Sequence, residues 1–207
     1  HCISSAASDV YKRQGYEEDG ATLLAHLEKI VQYNVQSSEK EKFDGVMLDI
    51  EPYISDSWKE NPEEYMDRYI SCMKKGYKFA QKNHLRTAIC IPRHYDNQGL
   101  TSGLEELIKE TCDEVAVMNY SCGNEIEAIR TEAALSEKYG KELHCILEFQ
   151  EVGKHGLTEN KTYRNKGIDN AKETWEKLQK EYKNINVTRD YHWSRPVREM
   201  LEEKNAD

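Results

Sequence analysis

No stretch of the chain approaches the roughly 20 consecutive apolar residues that a membrane-spanning helix needs, so no membrane insertion is expected of the visible sequence. Positive charge is also scarce: 29 Lys and Arg stand against 38 Asp and Glu, a formal net charge of -9 over 207 residues. The basic residues are scattered, which argues against a nucleic-acid partner or an anionic membrane surface and for neutral or cationic partners. No glycine-rich phosphate loop follows any strand-like run, which weakens a nucleotide-binding reading. The six cysteines include no C-x-x-C pair and no nearby H-x-x-x-H, so neither a zinc site nor a disulfide scaffold is expected, and no cofactor is called for. Cys90 and Cys145 sit inside apolar runs, where a reduced thiol behaves as a small hydrophobe.

The first fourteen residues do not read as structure. Ser4-Ser5-Ala6-Ala7-Ser8-Asp9-Val10-Tyr11-Lys12-Arg13-Gln14 resembles a transposase-type sequencing adaptor translated in frame. Residues 1–14 are therefore taken as a non-native segment and 15–207 as the natural reading frame, with its true start expected upstream. The compartment is then not legible, because a signal peptide would lie in the missing part.

Apolar runs and amphipathic stretches alternate along the remainder. Leu23, Leu24, Leu27, Ile30 and Val31 recur at helical spacing ahead of a short apolar run at 43–51 that ends in acids. Asn61-Pro62-Glu63-Glu64 reads as an N-cap, a first-turn proline and acids, opening a long helix with Met66, Tyr69, Ile70, Met73, Tyr77 and Ala80 on one face. A strand at 86–92 follows, then a capping-box pattern at 102–105 that opens a helix, and a strand at 114–120. After these come a helix at 126–139 stopped by Gly140, a strand at 143–149, a helix at 168–182, a more polar strand at 185–193 and a closing helix at 196–203.

Near-continuous apolar strands separated by helices imply an α/β fold with buried parallel strands and right-handed crossovers. A doubly wound open sheet and a (β/α)8 barrel both fit that alternation. Polar residues collect where strands end: Asp49 and Glu51, Arg93 and His94, Asn119 and Tyr120, Glu148, Asp190 and His192. Chemistry at the C-terminal ends of several different strands is the barrel pattern. The expected fold is a partial (β/α)8 TIM barrel of about five strand-helix units, residues 15–207 forming the C-terminal part of the barrel domain.

Strand side chains alternate, so Met47, Asp49 and Glu51 share one face and would point into the barrel mouth. Two carboxylates so close cannot both ionise freely; one should be held protonated, as a general acid at neutral pH requires. Asp44-Gly45-Val46-Met47-Leu48-Asp49-Ile50-Glu51 resembles the fourth-strand D-G-x-D-x-D-x-E signature of family 18 glycoside hydrolases, and Val117-Met118-Asn119-Tyr120 resembles their sixth-strand M-x-Y. That resemblance implies Glu51 as acid/base, Asp49 as the residue orienting the substrate N-acetyl group, and Tyr120 as its support. Met47 departs from the pattern, standing where the first acid of the run belongs. Residues 15–207 also resemble a group of little-characterised bacterial barrel proteins related to glycoside hydrolases. In that setting Glu148, ending a later strand, is placed as the nucleophile of a two-carboxylate retaining pair.

Tyr53, Trp58, Tyr95, Tyr120 and Trp193 fall in or beside strand-to-helix loops, where rings stack on sugar faces, and Arg93, His94, Asn119 and His192 are further candidates for substrate contact. The polar segment 150–167 is suited to a mobile lid or an extra subsite. The expected activity is retaining hydrolysis of an oligo- or polysaccharide, with or without N-acetyl groups. The alternatives are a catalytically inactive saccharide-binding barrel and a divalent-metal-dependent barrel enzyme.

Overall fold

The structure, a computed structural model, describes residues 19–192 and 194–204. The expected non-native segment and Trp193 lie outside the described residues. Five strands, β1 (Gly45–Asp49), β2 (Arg86–Pro92), β3 (Glu114–Met118), β4 (Glu142–Glu148) and β5 (Val187–His192), form one all-parallel sheet in the order β1-β2-β3-β4-β5, alternating with helices. The chain divides into two compact units between Val115 and Ala116, inside β3.

In the first unit, helix α1 (Ala21–Gln36) precedes β1, and β1 pairs in register with β2 from Gly45 opposite Arg86 to Asp49 opposite Cys90. Beyond β1 the chain makes a 3-10 turn (Pro52–Ile54) and the short helix α2 (Asp56–Glu60), whose N-cap Ser55 accepts from the Trp58 amide at 3.1 Å. Asn61 then caps α3 (Pro62–Lys82), and the expected face is the packed one: Met66, Tyr69, Ile70, Met73 and Ala80 are buried, while Tyr77 is half-buried. Its hydroxyl donates to Asp113 at 2.7 Å. Helix α4 (Thr101–Thr111) starts earlier than the capping-box reading predicts. Its N-cap is Leu100, and Ser102 lies inside the first turn without capping anything. A 3-10 turn at Asp96–Gln98 and Gly99, with φ +77°, redirect the chain so that the helix begins directly after Leu100.

In the second unit the helix expected at 126–139 is two pieces, α5 (Glu125–Ala128) and α6 (Arg130–Tyr139). The break is at Ile129, whose backbone leaves the helical region at φ -126°, ψ 20° while its side chain is buried. Gly140 ends α6 in the left-handed conformation, as the sequence suggests. The core of this unit sits between β4 and α7 (Gly167–Glu181). Ala171, Trp175 and Leu178 are buried there, and Trp175 Nε1 donates to the Cys145 carbonyl at 2.9 Å. β4 and β5 pair in parallel from Leu143 opposite Val187 to Glu148 opposite His192. Helix α8 (Ser194–Lys204) closes the described chain.

The segment 150–167, read as suited to a mobile lid or an extra subsite, is tied to the end of β4 at several points. Leu157, Thr162 and Tyr163 are buried, the Tyr163 amide donates to the Glu148 carbonyl at 2.8 Å, and the Thr162 hydroxyl donates to the Gln150 carbonyl at 2.7 Å. Its polar composition conceals these few inward-facing residues. Cys90 and Cys145 are buried and not joined in a disulfide, as their apolar runs suggest, and burial pushes Cys145 up to about 12; Cys72 and Cys112 are buried too.

Candidate functional site

Two constellations hold the residues singled out from the sequence, one in each unit. In the first, β1 ends at Asp49 rather than at the second acid. Asp49 is half-buried at the strand terminus, and Glu51 falls in the following turn with φ -112°, ψ 72°, so strand alternation no longer fixes where it points. A neighbour fixes it instead: the Tyr53 hydroxyl donates to Glu51 Oε1. Burial, reinforced by the Glu51 charge, pushes the Tyr53 phenol far above its ordinary value, so Tyr53 keeps its proton and donates it in the hydrogen bond to Glu51.

The Tyr53 ring meets His94 edge-on at 5.2 Å and Tyr95 at 6.1 Å. His94 is held below the ordinary imidazole range, first by burial and then by the neighbouring Arg93 charge, so it is a neutral ring beside Tyr53 at neutral pH. Arg93 and His94 are both half-buried at the end of β2. Two of the rings expected to stack on sugar are core instead. Trp58 is 3% and Tyr95 0% exposed, and they pack against each other at 5.5 Å. Loop position alone did not reveal this; helix α2 turns Trp58 inward.

The second constellation is built on the ends of β4 and β5. Glu148 is 2% exposed and both of its oxygens are engaged. Oε1 accepts the backbone amides of Phe149 and Gln150, each at 2.8 Å, while Oε2 accepts Gln150 Nε2 at 3.1 Å and lies 2.8 Å from His192 Nδ1. Burial pushes the carboxyl up. The hydrogen bonds from His192 and Gln150, with the His192 charge, outweigh it and hold Glu148 below the usual 4.5. The Tyr120 ring stands 6.1 Å from the His192 ring, and Tyr120 is half-buried. Asn119 is buried and structural in its contacts: its side-chain amide donates to the Glu125 carbonyl at 2.9 Å and its backbone amide to the Ile146 carbonyl at 3.0 Å.

Sequence reasoning missed three members of this unit's polar network. Gln150 is a ligand of Glu148, and the E-x-Q spacing at a strand end was its available signal. His144 Nδ1 lies 2.6 Å from Asp190 Oδ2, which also accepts from the Thr188 hydroxyl at 2.9 Å; period-two alternation along paired strands points to such a contact once their register is known. The third is buried Glu125, which accepts the Tyr163 hydroxyl and the Gly123 amide at one wall of a cleft of about 560 Å³ between α5 and α7. That cleft contains none of the residues singled out from the sequence.

The chain matches no family model, no curated protein and no solved structure in the comparisons made.

Proposed function

We propose that the chain is part of a (β/α)8 barrel of glycoside hydrolase type that hydrolyses a glycan with retention, Glu51 serving as acid/base and Asp49 orienting a substrate acetamido group. The sequential strand order supports the barrel reading, because consecutive barrel strands are neighbours whereas a doubly wound sheet reverses its order at a switch point. The observation that carries the assignment of Glu51 is its partner. A tyrosine that cannot give up its proton holds Oε1, which leaves Oε2 to carry the transferable one.

For the nucleophile, the substrate's own acetamide is the better candidate. Glu148 already receives bonds from two backbone amides and the Gln150 side chain as well as the His192 contact, and attack on an anomeric carbon would have to break into that set. Asp49, half-buried at the end of β1, is the residue left to steer the acetamide. The second candidate for substrate contact on this side is His94, a neutral ring beside Tyr53.

The test is a panel of aryl β-glycosides with and without a 2-acetamido group, assayed on the parent and on Glu51→Gln. Hydrolysis confined to the acetamido substrates, inhibited by a thiazoline and reduced ~10²- to 10⁴-fold in the variant, is the expected result. Parental rates in Glu51→Gln sink the acid/base assignment. Saccharide binding by the parent with no turnover, measured by calorimetry, replaces the enzyme with a binding barrel.

A further inference from the structure

The cleft of about 560 Å³ between α5 and α7 has a volume that suits a small-molecule ligand, and none of the chemistry assigned above uses it. Its wall carries Glu125, 8% exposed, and the two oxygens of that carboxylate differ. Oε1 accepts the Gly123 amide at 2.8 Å and the Tyr163 hydroxyl. Burial first, then the bond to Glu125, pushes the Tyr163 phenol far above its ordinary value, so it keeps the one hydrogen it donates. Thr174 Oγ1, 2.7 Å from the same hydroxyl, is then the donor to Tyr163, and the relay runs from Thr174 through Tyr163 to Glu125. Oε2 accepts no hydrogen bond from any described residue, and it is not among the enclosed polar atoms that lack a partner, so it reaches the cleft. A carboxylate buried to this depth, fixed on one side and open on the other into a cavity, is suited to a donor from outside the chain.

The surroundings select what that donor is. A divalent metal ion needs several ligand atoms converging on it, and among the described residues Glu125 belongs to no group of three His, Cys, Asp or Glu side chains whose ligand atoms meet. An ammonium group needs one carboxylate and neutral acceptors. Asn170 lines the cleft and supplies one: its Nδ2 donates to the Lys166 carbonyl at 2.6 Å, which leaves Oδ1 to accept. Thr174 Oγ1, donating its hydrogen to Tyr163, keeps a lone pair for another. The two lysines of the cleft are engaged elsewhere. Lys166 Nζ donates to the Glu159 carbonyl at 2.6 Å and Lys177 stands 3.8 Å from Glu173, and among the described residues neither forms an ion pair with Glu125. We propose that this cleft binds an organic cation through a primary ammonium group, with Glu125 Oε2 as its anchor and the Asn170 and Thr174 oxygens as its neutral acceptors. The proposal does not rest on the hydrolase reading.

The probe is n-butylamine at neutral pH, followed through the Gly123 amide in proton–nitrogen correlation spectra, because that N–H is bonded to the same carboxylate. The Gly123 peak should move saturably with a midpoint on the order of 1–10 mM. Butyltrimethylammonium, equal in charge but without an N–H, and magnesium chloride should leave it in place at matched ionic strength. Glu125→Gln keeps a carbonyl oxygen under the Gly123 and Tyr163 donors and turns an NH2 toward the cleft, so the fold should hold and affinity should fall at least about tenfold. Glu181→Gln, which removes a charge from the last turn of α7 in the same cleft, should change it less than about threefold. A peak that ignores butylamine, or that answers butyltrimethylammonium or magnesium equally well, overturns the proposal on the parent protein alone. Undiminished affinity in a folded Glu125→Gln overturns it too, and so does a loss in Glu181→Gln as large as in Glu125→Gln. No glycan enters these measurements, so a failed ammonium site and a failed hydrolase reading are separate results.

Discussion

At the scale of single residues, the two acids that stand out in the sequence meet opposite fates. Glu51 leaves its strand and is held by one tyrosine, whereas Glu148 remains at the end of β4 and is enclosed by four contacts. The second arrangement has a consequence for acid stability. The folded Glu148 carboxyl lies below its ordinary value and the unfolded one near ~4.3, so the stabilisation it contributes is complete above ~4.3 and is lost as pH falls through the folded value. Urea denaturation between neutral pH and the acid range should therefore give a stability curve that drops steeply on the acid side in the parent and less steeply in Glu148→Gln, which has nothing to protonate. Superimposable acid limbs would mean that Glu148 contributes no linkage. Both acids were legible as chemistry-bearing positions from their place after apolar runs. Their partners were not, because Tyr53 and Gln150 act through local turns that hydrophobic periodicity does not report.

At the scale of elements, the pattern of strands and helices was readable wherever burial set the period, and failed wherever a turn set the boundary. The face of α3 from Met66 to Ala80 and the six buried residues of β2 follow directly from apolar spacing. The start of α4 at Thr101 and the break at Ile129 do not, since each depends on a backbone angle chosen by tertiary packing. Gly45, whose packing role apolar spacing does not reveal, lies where β1 begins against β2. A Cβ there would stand 2.8 Å from the Arg86 carbonyl oxygen and 3.2 Å from the Arg86 Cβ. The obstructing atom is backbone in a paired strand and cannot step aside, so Gly45→Ala should cost about 1–3 kcal/mol. Chemical denaturation measures that loss, and hydrogen exchange should show it first as weakened protection of residues 45–49 and 86–90. A Gly45→Ala protein of parental stability would show that the two strands separate without penalty.

At the scale of the whole molecule, the described sheet has two ends, and they differ in chemistry. β5 carries Arg189 and Asp190 within its span, and charges along an edge discourage pairing with another chain. β1 reads Gly-Val-Met-Leu-Asp, with its one charge at the last position, so among the described residues it is the end better suited to accept a foreign strand. Opposing that is the net charge of -9, which makes identical chains repel at low ionic strength and does so less as salt shortens the screening length to ~10 Å at 0.1 M. The two effects together predict self-association that grows with salt as well as with concentration, the reverse of what ion pairing between chains would give. A lysine at half-buried Leu48 puts charge into the middle of β1 and should suppress it, while Tyr191→Lys on already polar β5 should leave it unchanged. Sedimentation velocity over a salt series is the measurement, with circular dichroism to confirm that Leu48→Lys is folded. A monomer at every salt concentration removes the prediction; association that falls with salt, or that Tyr191→Lys abolishes, places the contact elsewhere than β1.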